Sequence, residues 1–145
     1  MGTRSLIGVM HGDNCKFVYC HWDGFLENNG RVLQEYYDSA KANHLVALGD
    51  LSSLRENIGE KHDFDGPVGC ENNWCDFYGR DRGEIDVGFR SVNSFDRFLE
   101  NVSDSCAEYY YIMKDGVWYC GAVYGPLKYK LVPLTKAIKM EEETA

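Results

Sequence analysis

The dipeptide Asp115-Gly116 restricts the fold of this chain more than any other feature. It lies between two apolar runs, Ala107 to Lys114 and Val117 to Val123. Asp-Gly in that setting is the residue choice for a two-residue type I′ turn, in which both central positions need positive φ. A turn of that length fixes the register of the strands it joins. Met113 then faces Trp118 and Tyr111 faces Cys120, pairs that suit a partly buried strand surface. The successive Tyr109, Tyr110 and Tyr111 must point to alternating faces, so at least one belongs to the core while the run also offers interface anchors.

A second hairpin is expected at the start of the chain. Ser5 to His11 and Cys15 to His21 are rich in Ile, Val, Phe and Tyr, with Gly12-Asp13-Asn14 supplying the turn between them. Beyond Glu27-Asn28-Asn29-Gly30, where an Asn can cap a helix, Val32, Leu33, Tyr36, Tyr37 and Ala40 recur at helical spacing. A short helix follows from about Ala40 to Leu48, capped by Asp38 or Ser39 and stopped by Gly49-Asp50. Residues from about 51 to 73 read mainly as a long loop, and such loops usually serve binding or hold an ion. Trp74 to Phe89 reads as extended, interrupted by Gly79-Arg80-Asp81-Arg82-Gly83. Asn93 caps an amphipathic helix that carries Phe95, Phe98, Leu99 and Val102 on one stripe. A strand from Lys128 to Val132 and a helix from Thr135 to about Glu142 complete the chain. Three Glu residues at that helix end oppose its dipole, so a fraying tail is expected over about 140–145.

These elements predict one α+β domain over residues 1–145: a mainly antiparallel sheet, built from two hairpins plus further strands, with helices packed on one face. With 44% hydrophobic and 14% aromatic residues the chain has material for such a core, and 145 residues can bury roughly 70% of the unfolded surface. No apolar run approaches the roughly 18 residues of a membrane helix. The opening residues hold too few apolar side chains for a signal peptide, and Leu6 breaks the myristoylation pattern begun by Met1-Gly2. The net charge of -8 and the scatter of Lys and Arg argue against direct nucleic-acid binding and fit a protein that occupies a basic surface on a partner.

Six cysteines, at 15, 20, 70, 75, 106 and 120, are expected to be reduced, several as small buried hydrophobes. Cys15 and Cys20, five apart on one strand, should point to opposite faces. No cofactor is assigned. Structural zinc is the one weighed, with Cys70, Cys75 and His62 as its contributors.

Two short runs concentrate ionisable groups beside glycines. In Tyr19-Cys20-His21-Trp22-Asp23-Gly24, His21 and Asp23 are either a general base with its orienting carboxylate or a strand end with Trp22 buried and Asp23 capping a turn. In Tyr78-Gly79-Arg80-Asp81-Arg82-Gly83-Glu84, the charges form either a guanidinium fork for phosphate or carboxylate, or a solvated turn whose charges pair with each other. Arg4 adds a cation near the first strand. One pocket holding Arg4, His21, Asp23, Arg80 and Arg82, with Trp22 or Tyr78 stacked on a base and Asp81 and Glu84 alongside, would bind a nucleotide. Nothing in the sequence amounts to a catalytic signature, and no catalytic residue is assigned.

Met1 to Val9, Tyr19 to Phe25, Leu48-Gly49-Asp50-Leu51-Ser52-Ser53-Leu54 and Tyr78 to Glu84 together resemble a group of short bacteriophage and prophage proteins. The likeness spans roughly the first 90 residues. It implies a phage origin and expression in the cytoplasm of the infected bacterial host, and carries no activity. By analogy with small phage proteins that act by binding, the expected function is inhibition or modulation of a host protein, such as part of a CRISPR-Cas defence system. The alternative is a nucleotide-binding protein that sequesters or hydrolyses a signal.

Overall fold

The computed structural model describes residues 2–144. β1 (Ser5–His11) and β2 (Asn14–Cys20) form the first hairpin, paired from Ser5↔Cys20 to His11↔Asn14. Asn14 joins the ladder, so the turn is two residues, with Gly12 at a φ of 62°. β6 (Tyr109–Lys114) and β7 (Val117–Ala122) form the second, with Tyr111↔Cys120 and Met113↔Trp118 in the expected register. Asp115 and Gly116 both take positive φ, 52° and 79°, as the type I′ turn demands.

A parallel pairing of β1 with β6 joins the two hairpins, from Ser5↔Tyr109 to Met10↔Lys114. The remaining strands are short: β3 (Leu51–Ser53), β4 (Asp76–Phe77), β5 (Arg90–Val92) and β8 (Val132–Pro133). The sheet runs β4-β3-β2-β1-β6-β7-β8. β5 shares the outer edge of β2 with β3, pairing Cys15 to Phe17 while β3 meets only Cys20. The sheet is mixed but mostly antiparallel, as an α+β fold should be. Pro133 is tolerated because β8 is a sheet edge, where a missing N–H costs no ladder bond.

Every residue from Ser5 to Met10 is buried. A strand without polar alternation needs cover on both faces. Ile7, Val9, Tyr111 and Met113 lie beneath α1 (Arg31–Tyr36), α2 (Ser39–Ala47) and α6 (Leu134–Thr144) through Leu33, Leu45, Val46, Leu134 and Ala137. Most helical cover is thus on the expected face. The exception is α5 (Phe95–Asp104), which sets Phe98 and Val102 against Leu6, Phe17, Tyr110 and Ile112 on the other. Phe17 and Phe98 meet edge to face at 5.3 Å. Cys15 and Cys20 fall in these two different clusters, on opposite faces as expected.

The caps follow short polar side chains. Asp38 accepts from the Lys41 amide at 2.8 Å to start α2, and Ser94, one residue beyond the expected Asn93, accepts from the Arg97 amide to start α5. A π-helical turn at Leu26–Gly30 precedes α1, whose buried stripe is Leu33 and then Tyr37, while Tyr36 and Ala40 face solvent.

Three regions depart from the sequence reading. The 51–73 stretch contains β3 and α3 (Pro67–Asn72), and Asn57 bridges to Trp74. Between 74 and 89 only Asp76–Phe77 is strand, and Tyr78–Arg82 forms the one-turn helix α4, closed by Gly83 at a φ of 75°. The expected strand from Lys128 to Val132 follows a 3-10 turn at Gly125–Leu127 and is mostly irregular chain, with pairing only at Lys128 and Val132–Pro133. The tail expected to fray is helical through Thr144, and its last residue lies outside the described residues.

Candidate functional site

The densest ionic cluster lies where the 54–62 segment meets β4 and α4. The Asp81 side chain is fully buried and that of Asp76 nearly so. Arg80 grips Asp81 with two bonds, Nε to Oδ1 at 2.9 Å and Nη2 to Oδ2 at 3.2 Å. Its remaining donors reach the carbonyls of Ile58, Gly59 and Cys75 at 2.9–3.2 Å. Asp81 also accepts from the amides of Phe77 and His62. Asp76 takes His62 Nε2 at 2.7 Å and Arg55 Nη1 at 3.3 Å. Arg80 thus fastens a loop onto α4.

Both ring nitrogens of His62 face acceptors, Nδ1 the Glu60 carbonyl and Nε2 the Asp76 carboxylate, each at 2.7 Å. Two acceptors require two protons on the ring. Burial pulls the His62 pKa down, but the bonds to Glu60 and Asp76 and the negative charges of Asp81 and Asp76 outweigh it and hold the value above the ordinary one. Burial likewise opposes ionisation of Asp81, yet Arg80 and the Phe77 and His62 amides keep its pKa below the usual carboxylate range.

His62, Asp76 and Asp81 are, among the described residues, the group whose ligand atoms lie close enough together to hold a metal. One nitrogen and two carboxylates would suit a divalent cation by type. The residues do not fit one here. Both oxygens of Asp81 are bound by Arg80, Asp76 is shared by His62 and Arg55, and both His62 ring nitrogens are engaged, by the Glu60 carbonyl and Asp76. The zinc set weighed from the sequence is not assembled either. Cys70 is exposed, and buried Cys75 lies 3.2 Å from both the Tyr37 hydroxyl and the Arg55 amide.

The residues singled out from the sequence divide between this cluster and the surface. Arg80 and Asp81 turn inward as described, so the run is not the phosphate fork that was one of its two readings. Arg82 pairs with Glu84 at 2.9 Å, half exposed, and lies over the rings of Phe64 and Tyr78. His21 takes Tyr19 as its partner, Nδ1 to hydroxyl at 2.8 Å, rather than Asp23. Asp23 sits at a φ of 56°, and Trp22, expected to be buried in the turn reading, is 42% exposed. Arg4 is half-buried, and its carbonyl accepts from the Glu108 amide at 2.8 Å. Trp22 and Asp23 border a polar cleft of about 290 Å³ with Ser53, Arg55, Glu56 and Asn73.

A second concavity, of about 180 Å³, opens between β7, the 3-10 turn and α6. Leu26, Leu127, Ala137 and Met140 make its mainly apolar wall. Tyr109, Tyr124 and Glu141 are its polar lining residues, with the two tyrosine rings edge to face at 6.0 Å and their hydroxyls 3.4 Å apart. Burial raises the Tyr109 pKa, as do its bond to Tyr124 and the negative charges of Glu141 and Glu108. Burial and the charge of Glu27 raise that of Glu141, partly offset by Arg31. The sequence reading named Tyr109 but missed the rest. The available signal was the i, i+3, i+4 spacing of Ala137, Met140 and Glu141, which places them on one helical face.

No protein-family model, curated protein or solved structure matches this chain.

Proposed function

We propose that this protein is a phage accessory protein that works by binding, attaching to a host protein and inhibiting or modulating it. A component of an antiviral defence system such as CRISPR-Cas is the kind of target this reading favours. The phage setting rests on the sequence resemblance. The binding part rests on one observation, the apolar pocket beside α6 with Tyr124 half exposed at its mouth. A preformed apolar recess bordered by an exposed aromatic ring is what a partner's anchor side chain requires. The charged cluster, by contrast, leaves no buried side-chain donor or acceptor without a partner among the described residues.

The test is native mass spectrometry of the untagged protein purified from its bacterial host, beside Tyr124→Ala. A stoichiometric host protein that is lost with Tyr124→Ala supports the reading. A bare mass, or a partner retained unchanged by the variant, overturns it.

The polar cleft supports a second reading, nucleotide binding. Its exposed Trp22 can stack on a base, and Arg55 brings a guanidinium. Asp23 and Glu56 in the same cleft repel phosphate, which is why this reading stands second. Calorimetry with mono-, di- and cyclic nucleotides tests it, and absence of heat with all of them removes it.

A further inference from the structure

We propose that the sheet face beside Arg4 and His21 binds the phosphate group of a small phosphate monoester, with Arg4 as counter-charge and His21 as the second donor. The inference goes beyond the host-protein reading and does not depend on it. Three observations carry it.

The first is placement. Cys20, Leu51 and Phe77 lie abreast on β2, β3 and β4, and all three point into the core beneath the helices. Alternation turns their neighbours Tyr19, His21, Ser52 and Tyr78 to the opposite face. Beyond the last ladder pair, Ser5↔Cys20, the chains stay together: the Gly24 amide donates to the Thr3 carbonyl at 2.8 Å and the His21 amide to the Leu51 carbonyl at 3.1 Å. Ser5 points to the helix side, where Asn29 donates to its hydroxyl, so Arg4 stands beside His21 on the other side. α5 covers that face over Leu6, Phe17, Tyr110 and Ile112 and leaves Arg4, Tyr19, His21 and Tyr78 half-buried.

The second is charge. Of the seven arginines, six pair with a carboxylate: Arg31, Arg55, Arg80, Arg82, Arg90 and Arg97. Arg4 makes no ion pair and no side-chain hydrogen bond among the described residues. Its charge reaches the Tyr19 hydroxyl, where it opposes the rise in pKa that burial causes. Asp50, a carboxylate on the same face, is paired with Arg90 at 2.9 Å. Glu108 falls next to Arg4 across the β1–β6 pairing but forms no ion pair with it among the described residues. A guanidinium so placed gains both a counter-charge and a bidentate contact when an oxyanion arrives.

The third is donor geometry. The Tyr19 hydroxyl and His21 Nδ1 are 2.8 Å apart. Donation by the tyrosine occupies the Nδ1 lone pair and puts the ring hydrogen on Nε2, which has no partner among the described residues. Trp22 packs against the same ring edge to face at 4.6 Å. The guanidinium fork can take two oxygens of a phosphate group and Nε2 the third. A carboxylate has only two oxygens, both taken by the fork, so Nε2 is left with a shared and weaker acceptor.

Imidazole NMR of the full chain supplies the assay, because the chain has four histidines and His11, His44 and His62 act as internal controls. The protein is titrated with inorganic phosphate and, separately, with acetate, at fixed pH and ionic strength. The expected result is a saturable shift of the His21 ring signals alone, with acetate about tenfold weaker, the factor that one charge-assisted hydrogen bond supplies. Arg4→Gln should weaken phosphate binding at least about tenfold. Arg4→Lys, which keeps the charge and loses the fork, should fall between parent and Arg4→Gln, and it carries the test alone if Arg4→Gln does not fold. Tyr19→Phe keeps the ring and frees Nδ1, so phosphate binding should drop about threefold, a low value for one hydrogen bond. Unmoved His21 signals, equal shifts at all four histidines, or phosphate affinity unchanged in the Arg4 variants overturn the proposal. Acetate binding as tightly as phosphate overturns it too. Capture of a host protein and its loss in Tyr124→Ala concern the pocket beside α6, so the two readings fail separately.

Discussion

Replacing Arg80 by alanine should be among the most damaging single changes in this protein, although Arg80 is neither hydrophobic nor fully buried. Its side chain is 13% exposed, and that of its partner Asp81 is 0% exposed. Five hydrogen bonds radiate from the guanidinium, two to Asp81 and three to the carbonyls of Ile58, Gly59 and Cys75. Truncation leaves Asp81 with the Phe77 and His62 amides but without its bidentate counter-charge, and it releases the 58–59 backbone. Removing one member of a buried ion pair costs about 3–5 kcal/mol, because the other charge stays behind in a dry place. Against a typical total of roughly 5–15 kcal/mol, that is a large share. At about 2–4 °C per kcal/mol for a domain near this size, the melting temperature should fall by about 6–20 °C. Lysine retains the charge but not the fork, so Arg80→Lys should lose less than Arg80→Ala but stay well below the parent. Urea denaturation followed by tryptophan fluorescence gives the free energies, and amide exchange over residues 54–62 shows whether the loop is released. The double variant Arg80→Ala/Asp81→Asn should lose about 1–3 kcal/mol less than the sum of the single changes. Losses below about 1 kcal/mol with additive behaviour would refute the reasoning, because the pair would then act like an exposed one.

Three further outcomes follow from the same structure. The folded-state pKa of His62 is raised, so its stabilising contribution is complete below the ordinary histidine value, about 6.5, and is lost as pH rises through the folded value. The unfolding free energy of the parent should therefore fall, relative to His62→Gln, as pH rises above the ordinary histidine value, and parallel pH profiles would show that His62 does not carry the proton in the folded state. Gly121→Ala would drive a methyl into the Lys130 carbonyl oxygen and the Tyr110 hydroxyl, which donates to that same carbonyl. The clash should cost about 1–3 kcal/mol by denaturation, and an unchanged midpoint would mean that the Tyr110 ring is not packed over the glycine. Of the six thiols, Cys70 and Cys106 are exposed, and burial pushes those of Cys15, Cys20 and Cys120 up to about 12. Ellman's reagent should thus titrate two thiols quickly in the native protein and the other four only after unfolding, and rapid reaction of all six would contradict the packing.

The two hairpins were legible because their information is local. Asp115-Gly116 chooses its turn from residue chemistry alone, and a two-residue turn sets the register without reference to the rest of the chain; the first turn, read as Gly12-Asp13-Asn14, is one residue shorter because His11 pairs with Asn14. The caps at Asp38 and near Asn93 were legible for the same reason, since each is satisfied within three residues. The segment from 51 to 89 was not. Its strands are two or three residues long and its helices one to two turns, too short for either periodicity to register. Its order comes from partners far away in sequence, such as Arg80 with Ile58 and His62 with Asp76.

The sequence by itself determined the hairpins, the amphipathic helices and the α+β class, because turn preference, capping and side-chain periodicity act over a few residues. Only the tertiary structure decided that β1 and β6 pair in parallel, that α5 covers the second face, and that Arg80 and Asp81 turn inward rather than toward a ligand. The same holds for the pocket, which exists only where Leu26, Tyr109, Tyr124 and α6 meet. The physical reason is common to all four. Each is set by which distant surfaces remove the most apolar area and the most unpaired charge from water at once, and that competition is settled over the whole chain.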